Sequence, residues 1–98
     1  MARDVRDPAA QVCIAPDLDT LNRQAAEEIV RLSQGHRRFS LVLAGGSTPR
    51  SLYTMLAGEP HRSRIPWESI HLFWGDERCV PPDHPESNFR MAEEALFG

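Results

Sequence analysis

The chain has 98 residues, 41% of them hydrophobic and 26% charged, enough for one small domain and too few for two. Eleven basic against fourteen acidic residues leave a formal net charge of -3, which argues against nucleic acid as a main partner, because a polyanion binder carries a basic face. No apolar run is long enough to span a membrane and the charged start has no signal-peptide core behind it, so no membrane partner and a cytoplasmic location are expected.

Residues 1 to 10 read as a ragged start, and Gln11 to Ala15 as a short strand that Pro16 closes. Asp17 is a good N-cap. Behind it Leu18, Leu21, Ala25, Ile29 and Leu32 are spaced 3, 4, 4 and 3 apart, predicting one apolar stripe on a helix that ends near Gly35. Phe39 to Ala44 is a second strand, apolar enough to be covered on both faces of a parallel sheet.

Gly45-Gly46-Ser47-Thr48 then forms a loop into a helix, with Pro49 in the first turn, where its missing N–H leaves no bond unmade. Leu52, Met55 and Leu56 give that helix a buried side, and Gly58 stops it. Glu59 to Pro66 is a surface connection, and Ser69 to Trp74 a third strand. Gly75 to Glu86, with Pro81, Pro82 and Pro85, is a loop that regular structure excludes. Ser87 or Asn88 caps a last helix that turns Phe89, Ala92 and Leu96 inward. Strands alternating with helices predict an α/β fold with a largely parallel sheet, and three strands alone leave an apolar edge to cover. The chain reads as the opening portion of a larger domain.

In such a sheet a ligand lies at the carboxyl ends of the strands, where both loops project. Gly45, Gly46, Ser47 and Thr48 offer backbone N–H groups and two hydroxyls at a helix start, an anion cradle that needs no side-chain cation. The plainer reading is a strand-to-helix turn whose glycines permit positive φ. The loop is neither a Walker A sequence, for want of its lysine, nor GxGxxG. Asp76-Glu77-Arg78 is either a solvated charged turn or the second half of the site. Its place after the apolar run Ile70 to Trp74 favours the site. Arg78 has a fork for phosphate or carboxylate, and Asp76 is a candidate base or orienter of water or imidazole; the strand end suggests Asp76 over Glu77 as the group facing the site.

All eleven basic residues are arginine, which excludes a lysine nucleophile or Schiff base within the chain. His36, His61, His71 and His84 show no metal-ligand spacing, so no metal is expected; of the four only His84, in the proline-rich loop, has a functional case. Cys13 and Cys79 form neither a disulfide framework nor a CxxC motif.

Leu43-Ala44-Gly45-Gly46-Ser47-Thr48-Pro49, together with Trp74-Gly75-Asp76-Glu77-Arg78-Cys79-Val80-Pro81 and Asp83-His84-Pro85-Glu86-Ser87-Asn88-Phe89-Arg90-Met91, resembles the 6-phosphogluconolactonases, over about Ala15 to Leu96. The related glucosamine-6-phosphate deaminases share the fold and a glycine-rich phosphate loop, but the second block looks like the lactonase branch. The resemblance implies a three-layer αβα fold with a mostly parallel, Rossmann-like sheet, of which residues 1–98 form one partial, N-terminal domain portion. It implies hydrolysis of 6-phosphoglucono-δ-lactone to 6-phosphogluconate in the pentose phosphate pathway, without metal or organic cofactor. Gly45, Gly46, Ser47 and Thr48 would surround the phosphate, Arg78 would neutralise it or hold the sugar acid, and Asp76 would lie near the reacting carbonyl.

Family members are more than twice this long, and their catalytic histidine belongs to a later Gly-x-Asp-Gly-His-type segment that these 98 residues do not contain. The chain alone is therefore expected to be inactive or nearly so. The alternatives are a deaminase or isomerase acting on a sugar phosphate, and a non-catalytic phosphosugar-binding fragment.

Overall fold

The computed structural model describes residues 12–35 and 37–98. The ragged start, Gln11 and His36 lie outside them. Helix α1 (Leu18–Gln34) begins where Asp17 caps it, its carboxylate accepting a 2.7 Å hydrogen bond from the Thr20 N–H, and ends at Gly35. Strand β1 (Phe39–Leu43), helix α2 (Ser47–Ala57), a one-turn helix α3 (His61–Arg64), a short 3-10 turn (Trp67–Ser69), strand β2 (Ile70–Trp74) and helix α4 (Asn88–Phe97) follow.

β1 and β2 are parallel and in register from Phe39 opposite Ile70 to Leu43 opposite Trp74. Leu41, Leu43, Ile70, Leu72 and Trp74 face the helices, as the two-residue period of a strand requires. They join one core with Ala26 and Val30 of α1, Tyr53 and Leu56 of α2, Ile65, and Ala92 and Leu96 of α4. The fold is the α/β arrangement expected, a parallel sheet with helices between and after its strands.

Three local expectations are corrected. Residues 12–15 form no strand: Val12 and Ile14 are exposed, and the sheet of the described residues consists of two strands to which this segment is not paired. The inward face of α1 is Asn22, Ala26, Val30 and Ser33, about 100° round from the expected stripe, while Leu18 and Leu21 are exposed. Hydrogen bonds that apolar counting ignores make polar residues compatible with this face: Asn22 Nδ2 donates to Ser51 Oγ of α2 at 2.8 Å, and the buried Ser33 Oγ is satisfied inside α1 by the Val30 carbonyl at 2.9 Å. The connection 59–66 is not wholly surface, because α3 interrupts it and His61 and Ile65 are buried.

The other face of the sheet carries Ser40, Val42, His71 and Phe73, with Val42 64% and Phe73 53% exposed. The expectation that β1 is covered on both faces is therefore met on one face only by the described residues. A residue pair as apolar as Val42 and Phe73, opposite one another in the register, marks this face as one that a second layer would cover.

Candidate functional site

Because β1 and β2 are parallel, both post-strand loops leave the same edge of the sheet, and the Gly75 N–H donates to the Leu43 carbonyl at 2.9 Å, carrying the pairing into the loops. The first loop is anchored from behind by Tyr53. Its buried phenol accepts from the Ala44 N–H at 2.8 Å and donates to the Ala44 carbonyl at 3.1 Å, and burial pushes its pKa up. Removing that hydroxyl in Tyr53→Phe leaves both backbone groups without their partner and is expected to cost about 1 kcal/mol of stability, read by urea denaturation.

Gly46 follows at φ 107° and ψ 169°, a backbone region open in practice only to glycine. That turn sets α2 off from the sheet edge with no side chain capping its first turn. The Ser47 and Thr48 hydroxyls and amides sit on an exposed helix start, where the helix dipole favours an anion. Gly45 needs no such backbone, since Gly46 is the one described glycine with positive φ. It is small for a different reason: a Cβ added there would stand 2.7 Å from Asn88 Cγ and 2.9 Å from Nδ2, and closer still to Oδ1.

The second loop is built around Glu77. Its carboxylate accepts from the backbone N–H groups of Arg78 (2.7 Å), Asn88 (2.7 Å) and Phe89 (2.9 Å), and from Ser87 Oγ (2.9 Å). Ser87 Oγ in turn accepts from the Arg90 N–H at 3.2 Å. Glu77 and Ser87 together close the first turn of α4, whose N–H groups would otherwise lack partners. Of the two helix starts at this sheet edge, the chain's own carboxylate fills that of α4 and leaves that of α2 uncapped.

These bonds hold the Glu77 carboxyl at about 2, below its ordinary 4.5, the Phe89 N–H contributing most, then those of Asn88 and Arg78. A carboxyl depressed by folding stabilises the fold above its unfolded value, and that contribution is lost as pH falls from about 4.5 through about 2. Denaturation midpoints should therefore fall on acidification across that window, and Glu77→Gln should flatten this part of the acid limb while lowering stability at neutral pH.

The two neighbouring carboxylates of this loop are used differently by the fold. Glu77 is committed to α4, whereas the Asp76 and Arg78 side chains are exposed and make no hydrogen bond or ion pair with a described residue. The Asp76 carbonyl accepts from Asn88 Nδ2 at 3.1 Å. The rest of the loop is internally braced: the His84 N–H donates to the Pro81 carbonyl at 3.0 Å, and His84 Nδ1 accepts from the Glu86 N–H at 3.0 Å. His84 thus has a structural use for one ring nitrogen. Cys13 and Cys79 are free and exposed, and no three His, Cys, Asp or Glu side chains cluster as metal ligands among the described residues.

A groove of about 690 Å³ beside α1 and α2, lined in part by Asp19, Arg23, Glu27, Ser51 and His61, contains none of the predicted site residues. Its polar side chains are largely engaged, Arg23 with Asp19 at 2.7 Å, Glu27 with Arg64 (2.6 Å) and His61 (3.2 Å), and Glu59 with the Ser63 hydroxyl. The structure thus brings Gly45, Gly46, Ser47 and Thr48 to the same edge as Asp76 and Arg78, on adjacent strands. Sequence reasoning missed Tyr53 and gave Asn88 only a capping role, because both act through contacts distant along the chain.

Residues 16–98 match the family described as glucosamine-6-phosphate isomerases/6-phosphogluconolactonase. The chain is 44% identical to the 6-phosphogluconolactonase of Synechocystis sp. over 85 residues, 87% of this chain and 32% of that protein. It is 43% identical to that of Haemophilus influenzae over 72 residues, 74% of this chain and 31% of that protein. The crystal structure of 6-phosphogluconolactonase from Leishmania guyanensis superposes with a TM-score of 0.78 at 33% identity, over 90% of this chain and 34% of that one. The chain spans about a third of the length of these relatives. No described helix is long and apolar enough to cross a membrane.

Proposed function

Because the chain belongs to the glucosamine-6-phosphate isomerase/6-phosphogluconolactonase family, we propose that its two loops form the phosphosugar-binding part of a lactonase site that hydrolyses 6-phosphoglucono-δ-lactone to 6-phosphogluconate in the pentose phosphate pathway. The observation that carries this reading is the pairing of an uncapped α2 start with an Arg78 whose side chain is unpaired among the described residues, at adjacent parallel strand ends, beside an α4 start closed by Glu77. The phosphate lies against Ser47 and Thr48, where N–H groups and hydroxyls meet it without a competing side chain. Arg78 adds a guanidinium fork to the phosphate or to the acid end of the sugar.

The reaction adds water across the ester. A water oxygen attacks the ring carbonyl, an oxyanion develops, the bond to the ring oxygen breaks, and that oxygen leaves as a hydroxyl while the product carboxylic acid loses its proton. Asp76, whose carboxylate has no partner among the described residues, is left to orient the attacking water or a base. The general base that the family resemblance assigns to a Gly-x-Asp-Gly-His-type segment is not among these 98 residues. Phosphorylated sugars are retained in the cytoplasm by their charge, and we place the activity there.

The test is hydrolysis of freshly prepared 6-phosphogluconolactone by the 98-residue chain, corrected for the spontaneous rate, beside binding of 6-phosphogluconate. Saturable binding with a rate equal to background is expected. Turnover far above background that Arg78→Ala abolishes would contradict the division of labour, and ammonia release from glucosamine 6-phosphate would move the reading to the deaminase branch.

A further inference from the structure

The two loops belong to different strands, and nothing local in the sequence fixes their separation. Asn88 touches both. It is 7% exposed, at the first position of α4, where its backbone N–H donates to Glu77 at 2.7 Å. Its side-chain Nδ2 donates to the Asp76 carbonyl at 3.1 Å, and its amide group lies so close to Gly45 that no Cβ fits between them. The amide is thus bound on one side by the loop carrying Asp76 and Arg78 and in contact on the other with the loop carrying Ser47 and Thr48.

We propose that Asn88 is a positioning residue, a spacer whose side chain sets the distance between the anion cradle and the Asp76–Arg78 pair. Three observations converge on it. Gly45 is glycine because of this contact and not because of its backbone, as its φ is not positive. Asn88 cannot yield to a larger neighbour without surrendering its bond to Asp76, since it is short and buried. Glu77 holds the Asn88 backbone in place through the same helix start, so the spacer stands on a fixed support. The inference rests on both loops serving one ligand, and its structural half can be tested without that ligand.

The experiment uses the 15N-labelled chain as wild type, Asn88→Ala, Asn88→Asp, Gly45→Ala and the Gly45→Ala/Asn88→Ala double variant, with 6-phosphogluconate as the probe. Asn88→Ala should shift the amide signals of both loops, Gly45 to Thr48 and Asp76 to Arg78. Gly45→Ala, a change in the first loop, should shift the amides of the second by displacing Asn88. Loss of this one linkage should weaken 6-phosphogluconate about 5- to 10-fold in either single variant. The double variant should bind no worse than Asn88→Ala alone, because the clash at Gly45 disappears with the side chain that causes it. Asn88→Asp keeps the shape against Gly45 but removes the donor to Asp76, so its shifts should fall mainly in the second loop.

Additive losses in the double variant, or Gly45→Ala shifts confined to the first loop, would overturn the proposal. If Asn88→Ala does not fold, Gly45→Ala and Asn88→Asp decide it by the same amide signature. Absence of saturable wild-type binding with cross-loop shifts intact would sink the phosphosugar reading and leave the spacer standing.

Discussion

Replacing Arg78 with alanine is expected to weaken 6-phosphogluconate binding by about 10- to 100-fold while changing stability by less than about 0.5 kcal/mol. The two halves of that expectation come from the same geometry. Arg78 engages the fold through its backbone N–H, which donates to Glu77 at 2.7 Å and survives the substitution. Its guanidinium is exposed and has no partner among the described residues, so its removal leaves no buried charge behind. A charge-assisted contact to a phosphate or carboxylate is then the interaction lost. Arg78→Lys should recover only part of the affinity, because an ammonium keeps the charge but not the planar fork. Calorimetric titration reads both variants; affinity equal to wild type in Arg78→Ala would remove Arg78 from the site.

Gly46→Ala is expected to cost about 1–3 kcal/mol of stability and to weaken phosphosugar binding in the fraction that remains folded. At φ 107° and ψ 169° the residue occupies a region where any Cβ strains the backbone, although the space around it is open: the nearest atom to an added Cβ is Pro49 Cδ at 3.8 Å. The cost is thus conformational, and the chain can relieve it only by rotating the peptide that aims the start of α2. The proposed anion site depends on that aim. Gly35→Ala is the control, since Gly35 sits at φ -81° and ψ 0°, with 3.7 Å contacts, and alanine there should be neutral or stabilise by about 0.4–1 kcal/mol. Equal effects at the two positions would mean that the Gly46 conformation is not required.

The two adjacent glycines were legible as a loop and not as two separate requirements. One answers to its own φ and the other to a side chain 43 positions away, and only the first kind of demand leaves a local trace. The same distinction explains the rest. Asp17, Ser87, Gly35 and Gly58 mark helix ends through short-range chemistry and could be read directly. The face of α1 could not, because Asn22 and Ser33 turn inward, their polar groups satisfied by hydrogen bonds that an apolar count leaves out. The strand end suggests Asp76 over Glu77, but two neighbouring carboxylates look alike in sequence, and what separates them in the fold is the start of a helix eleven residues beyond Glu77.

The near-continuous apolar run Phe39 to Ala44 reads as a strand covered on both faces, and the described residues cover it on the face opposite Val42 alone. Relatives about three times as long have chain to supply a second layer. The two post-strand loops need less of it, since both are braced from the covered face by Tyr53, Ser87 and Asn88.

The central claim, that the two loops form one phosphosugar site, is tested most directly by titrating the 15N-labelled chain with 6-phosphogluconate and following each backbone amide. Saturable shifts shared by Ser47, Thr48 and Arg78, with a single dissociation constant, are the expected result. A well-dispersed spectrum in which those three amides stay still, or move with unrelated constants, would contradict it.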